Sequence, residues 1–196
     1  MSFGFLHTAE VHVATFDALL PELELDHVVR ADLLERARAE GLVSVRADVL
    51  AELARLSAKH KAVMCTCSTL GPLVEGGVLR VDAPAMQAAA EAVNGQVLLA
   101  ICLESTRAAT LELFESVAGK GRGRMLLCEA AWPLFEAGDM QGYAAEIARC
   151  VQAENGFEAV VLAQASMAVA APLLEAEGLR VFATPSEAAK ALRLIA

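Results

Sequence analysis

Apolar positions in this chain come in short dense runs, separated by longer stretches of helical period. Runs at Phe3–Thr8, Leu23–Val29, Lys61–Thr66 and Val78–Val81 predict four strands in the first half. Runs at Gln96–Cys102, Gly123–Glu129, Glu158–Gln164 and Leu179–Ala183 predict four more in the second. Several are apolar at consecutive rather than alternate positions, the pattern of strands covered on both faces in a parallel sheet. Between them, Val45, Val49, Leu53 and Leu56 recur at helical spacing, and the segment from Asp32 stops at Gly41, a favourable helix end. Helical segments over 84–93 and 185–196 open on Pro84 and Pro185, as first turns tolerate. In the segment 105–119, Ser105 or Thr106 is the candidate N-cap. Strand and helix alternate, so the expected class is α/β with parallel-type sheets and right-handed crossovers.

The alternation repeats itself. "KAVMCTCST" (61–69) lies over "EAVVLAQAS" (158–166) at an offset of 97, which sets Cys67 on Gln164. "VATFDALLPEL" (13–23) lies over "RAATLELFESV" (108–118) at an offset of 95. Two matches in the same order predict two similar lobes, residues 1–94 and 95–183, related by a pseudo-two-fold axis. The junction near Asn94-Gly95 is short, so the lobes should form a tight pair. Ligands of open parallel sheets sit beyond the carboxyl ends of the strands. Cys67 and Gln164 both fall just past such ends, and are expected on two sides of one cleft.

Composition narrows the function. The 196 residues are 56% hydrophobic and only 5% aromatic, enough apolar surface for a substantial core and too much for a disordered chain. The net charge is -9 and Lys59-His60-Lys61 is an isolated basic cluster. That argues against nucleic acid and anionic membranes, which need clustered cations. A small anion needs none, because backbone N–H groups can hold it. No apolar run reaches the roughly 20 residues of a membrane span. The opening "MSFGFLHTAE" has neither the charge nor the apolar stretch of a signal peptide. Five cysteines without framework spacing read as reduced thiols of a cytoplasmic protein.

The segment "MCTCSTLGP" (64–72) admits three readings: metal ligands, core filler, or an acid/base group facing a ligand. A zinc site wants four ligands, and His7, His12, His27 and His60 show no paired spacing, so no metal is expected. Cys65, Cys102, Cys128 and Cys150 suit the small buried hydrophobe that free cysteine often is. Cys67 opens a polar turn, with Ser68, Thr69 and then Gly71, where strand, turn and helix start would make a nest of N–H groups for an anion. A thiol beside such a nest, with a reference pKa of about 8.5, has a use in proton transfer.

"VMCTCSTLG", followed at a distance by "VVLAQASMA", resembles the active-site motifs of the aspartate/glutamate/hydantoin racemase superfamily, and the element order resembles it over essentially the whole chain. The resemblance implies two similar α/β halves, an active site between them, no cofactor, and a last helix (184–196) folded back onto the first half. In that family a Cys-Asn-Thr-like motif and a Gly-Cys-Thr-His-like motif supply two thiols that move the α-proton of a carboxylate from opposite faces. Carried over, Cys67 would be the proton-transferring thiol, and Ser68 and Thr69 would donate to the substrate carboxylate. Ala163-Gln164-Ala165-Ser166 stands in the second motif's place, without its cysteine, and Gln164 has no titratable proton. The resemblance extends to one-cysteine chemistry, with arylmalonate decarboxylase as a relative. There Ser68, Thr69, Gln164 and Ser166 would stabilise an enediolate. By the pseudo-symmetry, His7 and Thr8, and Glu104, Ser105 and Thr106, should also face the cleft. Each has a plainer reading: a helix cap for Ser105 or Thr106, an ordinary hydrogen-bonded side chain for His7, a solvated charge for Glu104. Trp132 is expected to pack between the lobes.

The expected protein is therefore a cofactor-independent racemase, isomerase or decarboxylase acting on a small carboxylate, a cytoplasmic homodimer or larger oligomer. The alternative is a small-carboxylate-binding protein that has lost half the chemistry.

Overall fold

The computed structural model describes residues 2–196. Eight parallel strands form two four-stranded sheets. The first holds β1 (Ser2–His7), β2 (Glu24–Val29), β3 (Ala62–Cys65) and β4 (Leu79–Arg80), in the order β2-β1-β3-β4. The second holds β5 (Val97–Ile101), β6 (Gly123–Leu127), β7 (Ala159–Leu162) and β8 (Val181–Ala183), in the order β6-β5-β7-β8. The orders are identical under the pseudo-symmetry, and all eight strands lie within the expected apolar runs or one residue outside them. The helices are α1 (Val11–Leu19), α2 (Ala31–Glu40), α3 (Arg46–Ser57), α4 (Ala83–Ala92), α5 (Arg107–Ala118), α6 (Trp132–Glu136), α7 (Met140–Gln152), α8 (Ala171–Ala176) and α9 (Thr184–Ile195).

The central strands β1, β3, β5 and β7 are covered on both faces, which is why they carry no polar alternation, whereas the edge strand β2 exposes Glu24 and Asp26 alternately. In β1, Phe3 and Phe5 join Phe16 and Leu20 of the α1 side and Ala188, Ala189 and Leu192 of α9 in one cluster. Leu6 points the other way, with Val63 and Cys65, toward α2 and α3. The α3 stripe works as its spacing predicts: Val45, Val49, Leu53 and Leu56 are all buried, each contributing about 1.5–3 kcal/mol of transfer free energy.

Two helices cross between the repeats. Ala85, Met86 and Ala89 of α4 pack with Val97, Leu99 and Phe114 of the second lobe. In return α9, the last element of the chain, packs on the first sheet. Arg193 donates to Glu22 (2.6 Å) and to the Leu19 carbonyl (2.7 Å), holding α9 there. The helices α4 and α9 also touch each other, so the exchange ties the lobes together, and the packing of α4 runs across residue 94. Thr106 occupies the N-cap position of α5 without capping it: its hydroxyl donates backwards to the Leu103 carbonyl at 2.8 Å. Among the described residues no helix is long and apolar enough to cross a membrane.

Candidate active site

The central strands β1, β3, β5 and β7 end toward one cavity of about 160 Å³ between the lobes. Thr8, from just past β1, and Thr66 to Thr69, from past β3, line one side; Leu103, from past β5, and Gln164 to Ser166, from past β7, line the other. Cys67 and Gln164, 97 positions apart, therefore share a wall-to-wall hollow, as the repeat predicts. Of the expected site residues, Thr8, Cys67, Ser68, Thr69, Gln164 and Ser166 come together here.

The others do not line this cavity, each for a visible reason. His7, still within β1, is on the face of Phe5, with which its ring stacks at 5.6 Å. Both its nitrogens are occupied, Nδ1 by Thr66 Oγ1 (2.7 Å) and Nε2 by His27 Nδ1 (2.8 Å). Glu104 is exposed and paired with Arg107 Nε at 2.6 Å. Ser105 is exposed, and Thr106 is buried with its hydroxyl on Leu103. In the second lobe only the apolar Leu103 of this stretch reaches the cavity, so the symmetry of the site is broken there.

Cys65 and Cys67 separate cleanly. Cys65 sits in the core, its thiol pushed up to about 12 chiefly by burial, and it reaches the Cys67 carbonyl at 3.9 Å. Burial also raises the Cys67 thiol, but the hydroxyls of Thr8 and Thr69 and the backbone amides of Leu70 and Thr69 pull the other way. Cys67 is 7% exposed, packed on Leu70 and Leu73 on one side and open to the cavity on the other. Its thiol rests protonated, with donors already arranged for the thiolate. The turn that carries it leads only into a single 3-10 turn, Gly71–Leu73, rather than the expected α-helix, so no helix dipole adds to these donors. Gly71 lets the Arg80 guanidinium lie against this turn: a Cβ there would stand 2.8 Å from it. The buried Asp82 holds Arg80 in a two-pronged pair at 3.0 and 2.8 Å.

The second wall is equally tied. Gln164 Oε1 accepts from the backbone N–H of Cys102 and of Leu103 (3.2 Å), which leaves its NH₂ as the free end. Ser68 Oγ donates across the cleft to the Ala163 carbonyl at 2.8 Å. Ser166 Oγ pairs with Tyr143 Oη at 2.8 Å, deep in the second lobe. Removing the Gln164 acceptor strands two buried N–H groups. Gln164→Ala is expected to cost about 2 kcal/mol, and to lower the thermal midpoint by about 2–4 °C per kcal/mol in a calorimetric scan.

Several lining residues lie outside the motifs. His12, from α1, is 7% exposed and borders the cavity. Leu34, Glu35 and Arg38 come from one face of α2, and Trp132, Phe135 and Glu136 from its symmetry counterpart α6. At the mouth, Arg38 lies 5.5 Å over the Trp132 ring and donates to Glu136 at 3.2 Å, while the Trp132 indole N–H donates to the same carboxylate at 2.6 Å. Trp132 thus packs between the lobes, as expected, and also faces the hollow. Helical spacing marks 34, 35 and 38 as one face, but nothing in the sequence says that this face meets α6. Among the described residues no three His, Cys, Asp or Glu side chains cluster as metal ligands.

No protein-family model and no curated protein matches this sequence. Solved structures do match its fold. Aspartate racemase from Picrophilus torridus superposes with a TM-score of 0.76 at 14% identity, over 97% of this chain and 92% of the racemase. Glutamate racemase from Thermus thermophilus, in complex with beta-chloro-D-alanine, gives 0.75 at 16% identity, over 99% and 79%. A variant of arylmalonate decarboxylase in a sulfate-associated form gives 0.63 at 16% identity, over 99% and 93%. The chain has the two-lobe α/β fold of these racemases and this decarboxylase along nearly its whole length. The resemblance read from its two motifs holds at the level of fold.

Proposed function

We propose that this protein is a cofactor-independent enzyme that transfers a proton at the α-carbon of a small carboxylate through Cys67, as a racemase, isomerase or decarboxylase. One observation carries the reading: the only motif cysteine with hydroxyl and amide donors around its sulfur opens onto the cavity between the lobes. Racemases and a decarboxylase among the fold neighbours support it.

In this reading the substrate carboxylate takes up donors from Thr69, the turn amides and the Gln164 NH₂. These donors stabilise the enediolate, where negative charge gathers as the α-carbon becomes planar. Ser68 and Ser166 hold the walls rather than the substrate, since their hydroxyls are engaged with Ala163 and Tyr143. Thr8 sits against the sulfur. Leu34, Leu103 and Phe135 offer apolar contact to the remainder of the substrate. The protonated resting thiol suits delivery of a proton to a carbanion: the S–H bond breaks, a C–H bond forms, and the thiolate left behind is held by Thr8, Thr69 and Leu70.

The rival, a carboxylate binder without chemistry, draws on Gln164, which can donate hydrogen bonds but cannot take an α-proton. Incubation in deuterium oxide with amino acids, hydantoins and substituted malonates separates the two. The enzyme incorporates deuterium at the α-carbon or releases carbon dioxide. Tight binding of an acid with no exchange in any member of the panel establishes the binder. The same reading expects a cytoplasmic homo-oligomer.

A further inference from the structure

The first lobe buries two histidines near the cleft, and they are treated differently. His7 has a partner on each nitrogen. His12 makes no side-chain hydrogen bond to any described residue, and burial alone accounts for its lowered pKa, with no hydrogen-bonding partner contributing. Its ring nitrogens are not among the buried polar atoms sealed off without a partner, so with no protein hydrogen bond they keep access to the space beside them. Its ring borders the cavity that holds Cys67. It is not a resting partner of that thiol, whose donors are Thr8, Thr69 and Leu70. A second hollow of about 210 Å³, lined by Thr15, Met140 and Val169, shares His12, Ala165 and Ser166 with the first. His12 therefore stands where α1 meets the second lobe's turn Ala165–Ala170, the turn that begins after Gln164. The second-lobe motif that this turn continues is the one without a thiol.

Resting on the proton-transfer reading above, we propose that His12 is the second proton-transfer residue, working with Cys67 as an imidazole–thiol pair that inverts the α-carbon of a small carboxylate. A racemase needs one group on each face of the planar intermediate, and Gln164 cannot be one of them. The imidazole and the thiol supply the two. The neutral His12 ring takes the α-proton, so that C–H breaks and N–H forms. The Cys67 thiol then delivers its proton to the other face, so that S–H breaks and C–H forms. The imidazolium and thiolate that remain return to the neutral pair by exchange with water. The hollow behind His12 gives the imidazolium access to water without opening the substrate cavity. The reverse substrate uses the charged pair in the opposite sense. Burial leaves the ring neutral and open to a proton at physiological pH, and by lowering its pKa to about 4 it also makes the ring a weaker base than a free imidazole.

The test uses wild type, His12→Asn and Cys67→Ala in deuterium oxide with each enantiomer of an acid that the wild type exchanges. Wild type is expected to exchange and invert both enantiomers. His12→Asn should lose racemisation by about 10²-fold or more, yet still exchange, with retention, the enantiomer whose proton faces sulfur. Cys67→Ala should keep exchange of the opposite enantiomer only. A purely structural role for His12 moves both enantiomers equally. Imidazole added to His12→Ala should restore inversion, which guards against a variant that is merely misfolded. Racemisation by His12→Asn within a fewfold of wild type overturns the role of His12 alone. So does a wild type that exchanges a single enantiomer. A wild type that exchanges nothing in the panel removes the proton-transfer reading and the role of His12 with it.

Discussion

Cys67→Ala is expected to lower turnover, and α-proton exchange of the enantiomer whose proton faces sulfur, by about 10²–10⁴-fold, the usual contribution of a positioned general acid or base. That corresponds to about 3–5 kcal/mol of barrier. The fold should survive, because the sulfur borders a cavity and its loss leaves no new closed void. Cys67→Ser should fare little better: the hydroxyl keeps the shape and the hydrogen bonds, but it is a far weaker acid than a thiol. Cys65→Ala is the matched control. Its sulfur is in the core, two residues away, with no hydroxyl donor around it and only the Cys67 backbone close by. It should cost stability and leave kcat/KM nearly unchanged. Progress curves for the three variants, run beside thermal denaturation, decide the matter. A Cys67→Ala protein with wild-type exchange would show that the thiol carries no proton.

Acid should unfold this protein early. His7 and His12 are buried and their pKa values are lowered to about 3 and about 4, chiefly by desolvation. For His7 the neighbouring His12 and His27 add to the effect. In the unfolded chain both titrate near 6.5. Above that value neither state binds the proton and the folded protein keeps its full stability. As the pH falls below about 6.5 the unfolded chain takes up protons that the folded one refuses. Each histidine then costs up to about 1.4 kcal/mol per pH unit, until the folded-state value is reached. Between pH 6.5 and 4.5 the two together approach 5 kcal/mol, the low end of a typical domain's whole stability. Urea unfolding at a series of pH values should show this slope. His7→Gln, which cannot be charged, should start from lower stability and fall about half as steeply. A stability that stays level from pH 7.5 to 5 would mean that both rings accept protons freely in the folded state. His7 is not at the cavity, so its share is the cost of a satisfied core: its two partners fix a neutral ring against Phe5 and Phe16.

The exchange of α4 and α9 connects stability to the site. The pair Arg80–Asp82 lies between β4 and α4, and Arg80 leans on Gly71 at the end of the Cys67 turn. The helix that carries the chain into the second lobe is thus anchored beside the thiol.

The amino-acid sequence alone determined the eight strands, the βα alternation and the doubling, because apolar runs and helical stripes are local signals set by which faces must be buried. The helix over 45–60 was legible for that reason. So was the pairing of Cys67 with Gln164, since equivalent strand ends in two repeats must meet when the repeats face each other. Helices α6 and α8 were not legible, being only a turn or two long, and α7 starts at the Asp139 cap, whose side chain accepts from Gly142 N at 2.8 Å. The roles of individual polar residues depended on tertiary contacts. One residue decides whether a side chain lies within a strand, like His7, or past its end, like Thr8. No periodicity reveals that Ser68 and Ser166 are engaged elsewhere, or that α2 meets α6 at the mouth. Above all, His12 looks from its surroundings in the chain like any residue at the start of a helix. Only the packing of α1 against the second lobe leaves its ring buried, without a partner, at the edge of the cavity.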